Sequence, residues 1–240
     1  MVRKRSWAMP PGLFRAVRRH RGDLRHSWHP DGRWVQIDDP ATGPVLIHIV
    51  SAGSGPDLIL LHGYVQSCWC WRHNITALAE HFTVHGVCAL GFGWSEKPPE
   101  AGYRLADRAD RTTRLMDVLQ IETAHMCGNS LGGALALHLA ATRPDRVGKV
   151  VLVNPASPGR YPMAGLATLM RPQWRHAFSS IPGVGAGLWL GLQAAAYRGV
   201  NVDEAYMRNF LAPLADDGAI EAALTVARFY NRDLNALRRR

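Results

Sequence analysis

The sequence lacks any apolar run long enough to cross a bilayer. Its nearest approach, Val184 to Tyr197, is short and is interrupted by three glycines and a glutamine, whereas a spanning helix needs about 20 predominantly apolar residues. Cysteine is scarce. Cys68, Cys70, Cys88 and Cys127 show no C-x-x-C spacing, and no His/Cys spacing of a metal site occurs. Buried reduced thiols and no resident metal are therefore expected. Met1 to Arg21 lacks the apolar core and small-residue cleavage site of a secretory signal, which with the free thiols points to a cytoplasmic protein. This Arg-rich, acid-free stretch leaves a transit peptide open, although Pro10-Pro11-Gly12 interrupts an amphipathic helix there. Acidic side chains are absent from residues 1–22, which hold seven basic ones, and the chain closes on three arginines. The formal charge of +9 resides in these segments, because 18 basic residues meet 19 acidic ones between them. No basic patch with interleaved aromatics occurs in the body, so no nucleic-acid partner is expected and the arm reads as solvated. Contact of the arm with anionic lipid or nucleic acid is the competing reading, and it requires salt-sensitive binding.

At 240 residues and 47% hydrophobic content, the chain suits one sizeable globular domain with room for an inserted subdomain. Residues 33–38 alternate as a half-buried strand does, and a Pro/Gly turn joins them to a second strand at 45–50, predicting a hairpin. Asp57 to Leu61 is a continuous apolar run, the mark of a strand covered on both faces. Residues 70–81 carry helical spacing, 82–89 a strand, 105–119 a helix, 120–128 a further strand, and 147–153 another buried strand. Leu90 to Pro98 is rich in glycine but opens no helix, so it is not a phosphate cradle, and no cofactor is expected. Strands alternating with helices through 57–153 imply a doubly wound, mostly parallel α/β sheet, with ligands meeting it beyond the strands' carboxyl ends. From Ala156 no buried strand occurs and helical periodicity returns at 203–211 and 217–230. The chain thus divides into a basic arm (1–32), an α/β core (33–155) and a helical lid (156–240).

The central motif is Gly128-Asn129-Ser130-Leu131-Gly132, between an apolar strand and an Ala/Leu-rich helix. This G-x-S-x-G pattern in a strand–turn–helix setting is a nucleophile elbow, in which a strained turn lifts the serine hydroxyl above the sheet edge. Both glycines are needed where strand and helix meet too closely for a side chain. Ser130 is the candidate nucleophile. The N–H of Leu131, first in its helix, and that of Tyr64, in His62-Gly63-Tyr64 after the buried strand, are the candidate oxyanion donors. His62 reads as a loop-positioning residue, since the base of such an arrangement follows the nucleophile. Trp69, Asn129, Met163 and Trp174 are candidates for the substrate pocket; for the aromatic and apolar ones, ordinary core packing is the competing reading.

Four motifs in order, Leu60-Leu61-His62-Gly63-Tyr64, Gly91-Phe92-Gly93-Trp94-Ser95, Gly128-Asn129-Ser130-Leu131-Gly132-Gly133 and Arg143-Pro144-Asp145-Arg146-Val147, resemble the α/β-hydrolase fold family over residues 33 to 232. The resemblance implies hydrolysis of an ester or a carbon–carbon bond in a small apolar or aromatic carbonyl substrate, under a cap. Gly-Asn-Ser-x-Gly-Gly is similar to the carbon–carbon bond hydrolases of aromatic degradation, with esterases and haloperoxidase-like members also similar. Epoxide hydrolases and haloalkane dehalogenases carry aspartate where this chain has Ser130. The family usually has Asp where Cys88 stands, and its loss implies a less ordered loop. The family also places an acid and then a His after two further strands. Here His138 lies within the elbow helix, His176 in the lid, and Asp145, Asp203, Asp216 and Asp217 lack a strand-end setting. The resemblance thus implies a C-terminally shortened hydrolase, its last two strands missing and residues 147–153 left as an unpaired edge open to self-association. A catalytically impaired or purely binding protein is the alternative.

Overall fold

The computed structural model describes residues 27–159 and 203–237. Six strands, β1 (Gly32–Asp39), β2 (Gly43–Ala52), β3 (Asp57–Leu61), β4 (Thr83–Val87), β5 (Ala124–Asn129) and β6 (Val147–Val153), form one sheet in the order β1-β2-β4-β3-β5-β6. The β1–β2 hairpin and the β2–β4 pair are antiparallel; β4, β3, β5 and β6 are parallel. From β3 the chain moves to one side to form β4, then crosses back to form β5 on the other. The strand order therefore reverses at the carboxyl ends of β3 and β5, where a crevice opens in sheets of this kind. That crevice lies between Leu61 and Gly128, which stand opposite one another in the β3–β5 register.

The expected helix at 70–81 is two short pieces, a 3-10 turn at Cys68–Trp71 and α1 (Ile75–Leu78). Ser67 Oγ accepts the Trp69 N–H, and the Arg72 and Asn74 N–H groups reach back only three residues, to Trp69 and Trp71. Such bonds wind the chain too tightly for an α-helix. The turn lies on β4, where a Cβ at Gly86 would be 3.3 Å from Ile75 Cδ1 and 3.5 Å from Cys68 Cβ.

The crossover helix α2 (Leu105–Val118) and the elbow helix α3 (Leu131–Thr142) follow the sequence closely. α3 stops before Pro144, because proline disfavours helical geometry in the residue preceding it. It is apolar nearly all round, and Leu131 to Ala136 and Leu139 are all buried, as the interior of a layered fold demands. After a helical turn at Glu204–Tyr206, wider and tighter turns run through Met207–Leu211 and Ala212–Ala215 into α4 (Ala219–Leu237). α4 outruns the expected end at residue 230 because Leu234 is buried against Ala134 and Ala156. No strand follows β6 among the described residues, which leaves β6 at the sheet edge with Val151, Leu152 and Val153 exposed.

A buried ion pair fixes α2 to the hairpin. Arg111 Nε donates to Asp39 Oδ2 at 2.6 Å, and Asp39 Oδ1 also accepts from the N–H groups of Ala41 and Thr42 and the Thr42 hydroxyl. Burial works to raise the Asp39 carboxyl, but the Arg111 bond and charge with these donors outweigh it and hold the group below its ordinary value. The stability this confers is complete above the unfolded carboxyl pKa of about 3.9 and is lost as pH falls through the lower folded value. Arg111→Met strands the Asp39 carboxylate and is expected to cost about 3 kcal/mol at pH 7. Urea unfolding at pH 7 and pH 3 checks both points, the gap between the variant and the parent shrinking at the lower pH.

Candidate active site

β5 ends at Asn129 and α3 begins at Leu131, leaving one residue for the whole change of direction. Ser130 makes that turn at φ 51° and ψ −116°. A non-glycine residue held there costs on the order of 1–3 kcal/mol and persists only where its surroundings enforce it. A Cβ at Gly128 would sit 2.3 Å from the Gly132 carbonyl oxygen, and one at Gly132 would sit 2.2 Å from that of Leu61. At Gly133 it would meet Pro155 Cβ at 2.8 Å, so the third glycine of the motif is required by β6's exit.

That exit clamps the turn. The Val153 carbonyl accepts the Ser130 N–H (3.2 Å) and Asn129 Nδ2 (3.1 Å), and the Ala156 N–H donates to the Ser130 carbonyl at 2.8 Å. Asn129 thereby ties β5 to β6, while its Oδ1 lies 3.0 Å from where a Gly63 Cβ would be. The loop after β3 thus runs directly beside the elbow. In it the Gly63 N–H donates to Gln66 Oε1 at 2.9 Å, and Val65 adopts φ 55°. Leu131, as the first residue of α3, has an N–H without an intrahelical acceptor. Tyr64 follows Gly63 in the same loop, and its side chain points to α4, where the hydroxyl donates to the Ala223 carbonyl at 2.8 Å.

His62 is buried, with Nδ1 2.8 Å from the Gly63 carbonyl and Nε2 accepting the Ala89 N–H at 3.0 Å. Burial pushes its pKa below the ordinary value, so it is a neutral strut with both nitrogens engaged. His138 lies on α3, and Met163, Trp174 and His176 fall outside the described residues. Trp69 is buried against Tyr206 and Phe210, with the Arg72 guanidinium 3.6 Å from its ring centre. Asp216 pairs with Lys97 at 2.8 Å. A Ser51–His85–Asp57 chain of hydrogen bonds (3.0 and 2.9 Å) has the order of a triad. It spans the sheet near the amino end of β3, remote from the elbow at the other end.

Sequence reasoning missed Arg108. It is buried, its guanidinium lies over the Phe92 ring at 4.6 Å, and Nε and Nη2 have no hydrogen-bond partner. Burial first, then repulsion from Arg111, lowers its pKa to about 10, leaving it charged at neutral pH. It lines two small cavities of about 30 and 10 Å³, both bordered by Leu131. A polar residue at a helical position otherwise reading as core, between Leu105 and Leu115, was the available signal.

Residues 56–200 match the family profile of the alpha/beta hydrolase fold. The chain belongs to that family. Relatives include a pimeloyl-[acyl-carrier protein] methyl ester esterase of Nitrosospira multiformis, 38% identical over 47% of this chain and 43% of its own. A 2-hydroxymuconate semialdehyde hydrolase of a Pseudomonas species is 38% identical over 44% of this chain and 38% of its own. These matches therefore span under half the length of either relative. Among solved structures, an epoxide hydrolase superposes with a TM-score of 0.71 at 25% identity, over 86% of this chain and 77% of its own. An alpha/beta hydrolase fold protein from Burkholderia ambifaria gives 0.72 at 21% identity, over 90% and 77%. The hydrolase fold and the mostly parallel sheet expected from the sequence are thus established.

Because the turn at residue 130 is strained for any residue with a Cβ, Ser130→Gly is expected to stabilise the protein by about 1 kcal/mol, while Ser130→Ala changes little. Thermal unfolding of the two variants beside the parent checks this. Arg108→Met, which removes an unpaired buried charge at nearly constant volume, is expected to raise the urea midpoint by the equivalent of about 1–3 kcal/mol.

Proposed function

We propose that the protein is a serine hydrolase in which Ser130 Oγ attacks a carbonyl carbon, or assists addition of water to a ketone. In this reading the N–H groups of Tyr64 and Leu131 receive the developing oxyanion. A negative oxygen is favoured there by amides at a loop and a helix start whose positions are set before the reaction begins. The substrate is a small apolar or aromatic carbonyl compound bearing an ester or a carbon–carbon bond to be cleaved. Relatives named as an ester esterase and a semialdehyde hydrolase support both bond types. Asn129, Trp69, Met163 and Trp174 are assigned to its pocket, with residues 1–32 as a basic arm, 33–155 as the core and 156–240 as the cap. Four free thiols accord with a cytoplasmic setting.

The observation that carries the reading is the strained backbone of Ser130. A turn that only joined β5 to α3 would relax with glycine at this position, whereas a serine held there presents a hydroxyl at the crevice. Its chemistry depends on a base, since a neutral hydroxyl is a weak nucleophile. Oxyanion donors and binding alone retain some acceleration over water.

The second reading, a binding protein without turnover, is favoured by the engagement of His62 and Asp216 in structural bonds. A fluorophosphonate probe separates the two. Covalent labelling that maps to Ser130 and vanishes in Ser130→Ala, together with aryl-ester turnover falling to the uncatalysed background in that variant, is the expected result. Equal labelling of parent and variant would remove Ser130 from the nucleophile's role, and ester turnover that is negligible and insensitive to Ser130→Ala would establish the binding reading.

A further inference from the structure

Behind the crevice, three side chains from separate parts of the chain converge. His48 lies in β2, Cys68 opens the 3-10 turn, and Cys88 follows β4 directly. His48 Nδ1 is 3.7 Å from Cys68 Sγ and 3.6 Å from Cys88 Sγ, and the two sulfurs are 3.2 Å apart. All three residues have 0% exposure. We propose that His48, Cys68 and Cys88 form a buried site for a thiophilic closed-shell cation, Cu(I) or Zn(II).

The donors are already set as ligands need to be. The other His48 nitrogen, Nε2, lies 3.0 Å from Ser27 Oγ. With the proton on Nε2 and donated to that hydroxyl, the Nδ1 lone pair faces the sulfurs, the outer bond by which metal-binding histidines are oriented. Each sulfur also accepts an N–H. Trp28 Nε1 donates to Cys68 Sγ at 3.4 Å, and the Cys68 backbone donates to Cys88 Sγ at 3.3 Å. Both N–H donors can stay in place when a metal displaces the thiol protons, since a thiolate, the form that binds metal, accepts an N–H as a thiol sulfur does.

The distances fit such an ion with one adjustment. Metal–sulfur and metal–nitrogen bonds of about 2.3 and 2.0 Å place sulfur and nitrogen ligands roughly 3.5 Å apart and two sulfurs roughly 3.8 Å apart at tetrahedral angles, and roughly 3.7 and 4.0 Å apart at trigonal ones. The two nitrogen–sulfur separations meet this, and the sulfurs must part by roughly 0.6–0.8 Å from their present 3.2 Å. With no carboxylate in the set, hard cations such as Mg²⁺ and Ca²⁺ are excluded. Three soft ligands complete a trigonal Cu(I) site, whereas zinc calls for a fourth. The ion would bind the turn after the oxyanion loop to β2 and to the start of the Gly91–Gly93 loop, and so would act as a rivet remote from the reacting atoms.

The test uses the full chain, reduced and stripped of metal, then exposed to Cu(I) or to Zn(II) and desalted. The expected result is retention of about one ion per chain with a raised melting temperature, since an ion that binds only the folded state stabilises it. X-ray absorption of the loaded protein should report two sulfur neighbours and one nitrogen. Cys68→Ser and Cys88→Ser should lose retention, Ser27→Ala should bind about tenfold more weakly, and Cys70→Ser should match the parent. Retention of Zn(II) or of Cu(I) supports the site and names its ion. The proposal is overturned if the parent retains neither, if its metal shows a sulfur-only shell, or if both serine variants retain it undiminished. A mass two daltons low, locating a Cys68–Cys88 disulfide in the protein as isolated, would also overturn it. The spectroscopic arm needs only the parent chain, so a variant that fails to fold does not impair the decision.

Discussion

The close approach of β5 and α3 is the constraint on which the rest of the molecule depends. With Gly132 almost against the Leu61 carbonyl and Gly128 against Gly132, the strand, the helix and the neighbouring strand β3 share a space that admits no side chain. One residue must then reverse the chain, and it does so in a conformation that costs free energy. That cost is met by packing and by hydrogen bonds from the end of β6, which hold Ser130 at both its N–H and its carbonyl. The elbow is consequently a property of three strands and a helix together, and a change in any of them acts on the hydroxyl's position.

The sheet determines what else reaches this point. Because strand order reverses beside β3, the loop after β3 and the elbow after β5 leave the same edge side by side. The Gly91–Gly93 loop after β4 is held to the C-terminal segment by Lys97, whose ammonium bonds the Gly93 and Ser95 carbonyls and Asp216. Ser95 adds a bond to the Cys88 carbonyl at 2.6 Å and accepts the His48 N–H. These bonds organise the loop in a chain that has cysteine where the family usually has aspartate.

Legibility in the sequence followed the range of the interaction. The elbow was readable because its glycines, serine and flanking elements lie within a few residues, and β3 because a continuous apolar run marks a strand buried in a parallel sheet; the same reading located β6 but not its setting, since that strand lies at the sheet edge and none of its residues is buried. Local periodicity could not reveal that Ser67 and two tryptophans would wind 70–81 into short turns. Nor could it foresee that Trp69 would pack on Tyr206 and Phe210. The Asp39–Arg111 pair joins positions 72 residues apart, and Asn129's bridge to Val153 depends on which strand becomes the neighbour of β5. Arg108 was overlooked for a different reason: a guanidinium on a charged-looking helix reads as solvated until the fold encloses it, and only its place in the apolar spacing of α2 hinted otherwise.

Asp233 gives the C-terminal helix a second consequence. Its carboxylate, on α4, accepts the Leu105 N–H at 2.8 Å and meets the Arg104 side chain, so it supplies an acceptor to the first turn of α2 from a distant part of the chain. Tyr64, beside the elbow, is meanwhile tethered to the same helix at Ala223. Any displacement that lifts α4 must therefore unseat a helix start and a crevice loop in one stroke. The seating of the Tyr64 loop and the integrity of α2's first turn are in that sense a single mechanical variable.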